Sequence, residues 1–366
     1  MSTFDGFHAT TPRRSSKARW LKIGAVVAAT LVLVTSAAGW FAVTHYSSNI
    51  DRVPITHAQG VTLQAATGGA QNILVIGSDT REGLTAAQRK ELSTGKSECN
   101  CTDTIMLMHL AKDAEGATVV SFPRDLMVEV PAFTDSSGTK HSASTRQINT
   151  AYALGGPSLV VQTVEQLTDI HIDHYVQVRF SGVVNVVDAI GGVDVCVKKS
   201  FTDKSTHLAL SAGTHTLDGI DALKYVRLRH VGDGSDLGRI QRQQQFVVNA
   251  LAGATSTGVL TNPFKLKNVL DATTSSFVLD DGFSTSDLLS FASRMRAMDR
   301  SKLVLLTVPN EAYPPDPNRV QLQQPQADAL FAKLQANEPV AKAAAKKAST
   351  STHARTGTSN PCSTPS

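Results

Sequence analysis

The chemistry of this chain is concentrated in residues 224–245, which hold five Lys/Arg and only two carboxylates, Asp233 and Asp236. Arg227 and Arg229 are two apart. An extended backbone there would point both guanidinium groups to one side, with Val226 and Leu228 on the other. The loop at 231–235 then turns the chain, and Asp236 stands where a helix N-cap belongs. On the helix behind it Arg239, Arg242 and Gln243 share one face, and Leu237, Ile240, Val247 and Leu251 form an apolar stripe on another. A fork of up to four arginines suits the planar, bidentate recognition of phosphate oxygens. The competing reading is a solvated basic face.

Three further groups are singled out by position. Asp79 follows one apolar run (72–77) after Ser78, Arg124 follows another (117–122) after Pro123, and Asp103 directly precedes a third (104–110). Ligands collect beyond the carboxyl ends of strands in open α/β sheets. If the strand carrying Asp103 is antiparallel to the others, all three groups meet at one sheet edge. Two carboxylates together invite a hard cation with oxygen ligands, Mg²⁺ being the ordinary choice beside phosphate. Each aspartate also has a plainer reading as a turn residue, and Arg124 as an ion-pair partner of Asp125 or Asp103. Asn149 and Tyr152 either hydrogen-bond a sugar or cap the following helix. His171, His174 and His230 lack ligand spacing on one element and are read as surface or supporting groups. Without G-x-S-x-G, P-loop or G-x-G-x-x-G patterns, a serine hydrolase of that type or a nucleotide site has no support.

The elements that must position these groups alternate between short apolar runs and helical patterns. Strands are expected at 72–77, 104–110, 117–122, 126–130, 174–180, 193–197 and 302–308. Helices are expected at 85–92, 148–153, 158–167, 180–190, 217–224, 260–279 and 284–297, and residues 132–147 read as a surface loop. Gly155, Gly156 and Pro157 break one helix, and Gly191 and Gly192 close another. This pattern predicts an α/β fold with a mixed central β-sheet and helices on both faces.

Length and composition set the frame. The 366 residues are 41% hydrophobic and 18% charged, with a net charge of +4, too small to imply a polyanion-binding surface by itself. Scarce aromatics argue against a stacking platform for single-stranded nucleic acid. Residues 1–20 are a basic tail, and residues 21–43 are apolar enough to read as a transmembrane helix. Twenty-three helical residues reach about 35 Å against a hydrocarbon core of ~30 Å. Arg13, Arg14, Lys17 and Arg19 precede the span, which places the N-terminus in the cytoplasm and the rest outside. The rival is a signal peptide cleaved near Ser36-Ala37-Ala38, but the apolar run continues through Trp40 and Phe41. Either way the main domain is exported, and a nucleic-acid partner is not expected. Residues 44–70 read as a linker, 71–337 as the extracytoplasmic domain, and 338–366 as a disordered basic tail.

Taken in order, the motifs Gly77-Ser78-Asp79-Thr80-Arg81, Thr102-Asp103-Thr104, Ser121-Phe122-Pro123-Arg124-Asp125, Ile148-Asn149-Thr150-Ala151-Tyr152, Val187-Asp188-Ala189-Ile190-Gly191-Gly192-Val193, and Tyr225 through Arg229 to Asp236-Leu237-Gly238-Arg239 with Arg242-Gln243 resemble the LytR–CpsA–Psr family of cell-wall enzymes. The match spans residues 72–252. The resemblance implies a membrane-anchored phosphotransferase that moves a glycopolymer (teichoic acid, capsule or arabinogalactan type) from a polyprenyl-pyrophosphate carrier to peptidoglycan. The lipid bilayer, the lipid-linked glycan and peptidoglycan are then its partners. By motif, Asp79 and Asp103 would hold Mg²⁺, and Arg124, Arg227, Arg229 and Arg239 would bind pyrophosphate, supported by Asp236 and Gln243. An apolar groove beside the arginines would take the prenyl chain. Cys101 stands where the family often has an arginine, so Arg81 or Lys96 substitutes or the cradle is one cation short. Cys99 and Cys101 are candidates for oxidation to each other or to Cys196, the alternative for Cys196 being a reduced core thiol. Non-catalytic binding of lipid-linked wall polyanions, and hydrolysis of the pyrophosphate by water, are the alternative functions.

Overall fold

The computed structural model describes residues 50–340, except 60–62, 64–68, 81, 93–101, 113–115, 229–235, 255–257, 259–261, 275–276 and 299–301. The expected membrane span, the tail beyond 340, Arg81, Arg229 and the side chain of Asp236 therefore lie outside the described residues.

A seven-stranded mixed sheet forms the centre. In chain order its strands are β1 (Asp51–Val53), β2 (Gln71–Ser78), β3 (Thr102–Leu110), β4 (Ala117–Phe122), β5 (His174–Arg179), β6 (Phe277–Asp280) and β7 (Leu303–Thr307). They lie side by side as β1-β6-β5-β2-β3-β4-β7. β2 is parallel to β5 and antiparallel to β3, while β4 is antiparallel to β3 and parallel to β7. The carboxyl ends of β2, β4, β5 and β7 thus share an edge with the amino end of β3.

Among the described residues eight helices accompany it: α1 (Ala86–Glu91), α2 (Thr150–Thr168), α3 (Phe180–Ile190), α4 (Gly219–Arg227), α5 (Asp236–Ala254), α6 (Pro263–Thr274), α7 (Thr285–Ala297) and α8 (Gln324–Gln335). Alternation along the central strands sorts the core into two faces. Leu74, Ile76, Ile105, Leu107, Val120 and Phe122 pack with Leu159 and Val160 of α2 and Phe331 of α8. Ile73, Met106, Met108 and Val119 face the other way, towards Met295 of α7. The runs are mostly apolar because both faces are covered.

Several expectations need correction. Residues 51–53, inside the stretch read as a linker, form β1 and pair with β6. Residues 225–227 are the last turn of α4 rather than a strand, so the Arg227/Arg229 alternation does not apply. Asp218 caps that helix by accepting from the backbone N–H of Asp221 at 2.9 Å. The helix expected over 260–279 ends at Thr274, and Phe277–Asp280 becomes β6 because its Phe-Val-Leu run is needed by the sheet. The supposed loop 132–147 holds two short strands, Phe133–Thr134 with Lys140–His141, and its last residues, Ser144–Gln147, pair with Met127–Val130. That last pair, and Val193–Val197 with Gly213–Leu217, lie outside the central sheet. Gly155 and Gly156 leave helical geometry where the break was expected, and α2 continues beyond the kink. Val340, read as tail, is buried in the first core.

Candidate active site

Asp79, Asp103 and Arg124 are brought to the same sheet edge by the antiparallel setting of β3. Register fixes this closely. Gly77 pairs with Thr104 and Ser78 with Thr102, so Asp103 is the extra residue of a β-bulge. Bulges re-aim a side chain without ending the strand. A Cβ on Gly77 would lie 3.0 Å from the Cβ of Thr104, so glycine lets the two strands close at that point. Arg124 donates from Nη1 to Asp103 Oδ1 at 3.1 Å and from Nε to Asp125 Oδ2 at 3.4 Å. The plainer ion-pair reading of Arg124 is therefore realised, and it lies within the cluster rather than apart from it. Asp125 is further engaged by Arg319 at 3.1 Å and Gln147 at 2.7 Å, which leaves it a brace for Arg124.

Under this edge lies a buried polar chain. Tyr152 and Tyr175 both donate to Gln177 Oε1, at 3.0 and 3.1 Å, and Gln177 donates to Ser78 Oγ at 3.0 Å. Ser78 Oγ lies 3.1 Å from Thr80 Oγ1, so the two residues flanking Asp79 are tied together. Burial raises the pKa of both phenols, keeping them neutral donors. Tyr152 thus ties α2 to the strand ends through Gln177. Asn149 stands at the start of α2 with its backbone N–H 3.4 Å from the Arg124 carbonyl. Its side chain makes no capping bond, and its buried Oδ1 has no hydrogen-bond partner among the described residues. A buried amide oxygen in that state is costly unless something else meets it.

The arginine-rich segment reaches the same edge from the next strand. Phe180 opens α3 immediately after β5, whose Arg179 pairs with Ser78. The Arg227 guanidinium sits 5.4 Å from the centre of the Phe180 ring and donates to the Leu92 carbonyl at 2.8 Å. Arg242 donates to the Leu228 carbonyl at 2.6 Å and Gln243 to that of Val226 at 3.3 Å. Those two therefore satisfy carbonyls at the end of α4, and act on Arg227 by holding its backbone. Arg239 is 3% exposed, which corrects its expected place on an open fork. It is buried because α5 lies against the sheet. One turn on, Gln244 donates to Ser121 Oγ at 2.8 Å and to the Leu306 carbonyl at 2.9 Å. Further along the same helix Val247 and Val248 line an apolar cavity with Met106, Met108, Val119 and Met295.

Sequence reasoning missed Gln177, Gln244 and Thr102, whose buried Oγ1 is unpartnered among the described residues. A polar residue between Val176 and Val178 was the available signal for Gln177, and the Thr102-Asp103-Thr104 motif was the signal for Thr102. Cys196 is exposed and disulfide-bonded, which overturns a reduced core thiol, and the other cysteines lie outside the described residues.

The mixed α/β sheet architecture agrees with the comparisons. The LytR_cpsA_psr family profile matches residues 41–336, and the chain belongs to that family. It is 35% identical over 292 residues to the probable cell wall biosynthesis protein LcpB of Corynebacterium glutamicum, covering 80% of this chain and 64% of the relative. It is 31% identical over 207 residues to the polyisoprenyl-teichoic acid–peptidoglycan teichoic acid transferase TagU of Oceanobacillus iheyensis, covering 55% and 57%. The chain thus spans less than two thirds of these relatives' lengths. In fold it is similar to a LytR-Csp2A-Psr enzyme from Actinomyces oris, with a TM-score of 0.58 and 24% identity over 78% of this chain and 96% of that one.

Proposed function

We propose that the chain is a membrane-anchored, Mg²⁺-dependent phosphotransferase that moves a glycopolymer from a polyprenyl-pyrophosphate carrier to a peptidoglycan hydroxyl. The observation that carries this reading is the bulge at Asp103. It supports the reading because it puts a second carboxylate on the sheet edge where β2 ends before Asp79, paired with Arg124, while Arg227 lies over Phe180 at the end of β5. The transferase name of one relative points the same way.

The donor set fits a hard divalent ion: two carboxylates at adjacent strand ends, with Asn149 Oδ1, at the start of α2, buried and unpartnered among the described residues. Asp79 and Asp103 would hold it, and when bound it supplies neutralisation of charge on the pyrophosphate oxygens. The chain's own residues do the rest. Arg124 and Arg227 orient the two phosphates and stabilise charge as the bridging oxygen departs. The acceptor hydroxyl oxygen bonds to the sugar-linked phosphorus, the bond from that phosphorus to the bridging oxygen breaks, and polyprenyl phosphate leaves with the hydroxyl proton on its phosphate. The polar chain from Tyr152 to Thr80 holds the Asp79 turn still, so that alignment is built in before substrate arrives. An anchor at 21–43 would keep the site at the bilayer surface.

The test is incubation of the full chain in detergent with Mg²⁺, a short-chain polyprenyl-pyrophosphate glycan and peptidoglycan, followed by mass analysis. Polyprenyl phosphate together with glycan phosphodiester on peptidoglycan is the expected result. Intact pyrophosphate would leave a binding protein, and free glycan phosphate a hydrolase.

A further inference from the structure

Far from the transfer edge, three residues from separate elements converge. Glu165, near the end of α2, is fully buried. His57 comes from the segment after β1, and His171 from the turn before β5. His57 Nδ1 lies 2.7 Å and His171 Nδ1 3.3 Å from the same oxygen, Glu165 Oε1. The ligand atoms of all three residues lie within 4.8 Å of one another, and the two rings are tilted at 4.5 Å between centroids.

The geometry points to a divalent transition-metal site at His57, Glu165 and His171, with Zn²⁺ as the natural occupant and water as fourth ligand. Two imidazole nitrogens and one carboxylate oxygen are an ordinary zinc donor set. In a tetrahedral site with bonds of about 2.0–2.1 Å, neighbouring donor atoms stand about 3.3 Å apart. The His171 separation from Glu165 already has that value, and the more exposed His57 needs to open by roughly half an ångström. The carboxylate is held in advance: the Ala58 backbone N–H donates to Oε2 at 2.8 Å and that of Ile172 to Oε1 at 3.0 Å. Such outer bonds orient a metal ligand. Without metal, three donors crowd Oε1 alone, a poor use of a carboxylate with about four acceptor positions. Both imidazoles remain partly exposed, so an ion has a way in, and His171 also borders an open polar cleft with Asp173 and Arg294.

The site lies at the amino end of β5, and the six residues of that strand put about 20 Å between it and the transfer edge. Its role is to fasten the chain between β1 and β2 onto α2, apart from the phosphoryl chemistry.

The experiment uses the full chain, untagged, stripped with chelator and titrated with Zn²⁺ alone against a chromophoric competitor. One Zn²⁺ per chain and a higher Tm are expected. His57→Ala and His171→Ala, both at partly exposed positions, should each weaken binding at least tenfold, while His207→Ala should not. Substoichiometric binding, or binding that survives in the His57→Ala/His171→Ala double variant, would overturn the site. So would variants that change acid stability while Zn²⁺ leaves Tm unmoved, because that outcome describes a hydrogen-bonded ion pair only.

Discussion

Asp103→Asn separates a catalytic cluster from an ordinary surface ion pair. The substitution keeps the shape of the side chain and an oxygen that Arg124 Nη1 can still reach, and removes the charge. In the folded protein that contact is 3.1 Å long between side chains that are 23% and 32% exposed. Partly exposed pairs of this kind contribute about 0–1 kcal/mol. With about 2–4 °C of Tm per kcal/mol for a domain of this size, the variant should melt within about 4 °C of wild type. Loss of a group that stabilises charge at the reacting centre lowers rates by about 10²–10³, or ~2.7–4 kcal/mol. The predicted effect on transfer is therefore several times the predicted effect on stability. The assay is single-turnover transfer from a short-chain polyprenyl-pyrophosphate glycan across a Mg²⁺ titration, alongside thermal melting. The reasoning fails if transfer falls by less than about fivefold with an unchanged Mg²⁺ profile. It also fails if Tm drops far enough to explain the lost activity by unfolding.

Arg227→Ala should cut transfer by about 10²-fold or more. Because it also removes the bond to Leu92 and the contact with Phe180, it should cost about 1–3 kcal/mol in denaturant unfolding; near-normal transfer would place the residue outside the site. Gln244→Leu strands Ser121 Oγ and the Leu306 carbonyl, so a loss of about 2–3 kcal/mol is expected, and a neutral result would mean water replaces the amide. His109 is buried, and that burial lowers its pKa despite the bond to Asn337. A ring neutral in the fold but protonated in the unfolded chain contributes stability above about pH 6.5, lost as pH falls towards the folded value. His109→Gln should therefore flatten the fall in Tm between pH 7 and 5, and an identical slope would refute the assignment.

The amino-acid order alone determined the apolar runs that become β2, β3 and β4, because strands covered on both faces are mostly apolar, and it marked β5 by the alternation of its side chains. It also determined the kink at Gly155-Gly156 and the close of α3 at Gly191. Asp79 and Arg124 were legible as site candidates because each stands two residues beyond such a run, and Asp103 because it stands immediately before one. The tertiary structure decided that β3 runs antiparallel between β2 and β4, and only that setting brings Asp103 to the same edge. It also decided the fate of residues 225–227. Their alternation suits a strand, but capping by Asp218 and packing of α4 make them a helix end, and Arg227 reaches the edge by lying over Phe180 instead. Arg239 and Gln244 acquired buried roles from the docking of α5, which no local pattern specifies. The meeting of His57, Glu165 and His171 had no trace in their spacing, since contacts between residues 108 apart, such as His57 and Glu165, depend on how whole elements pack.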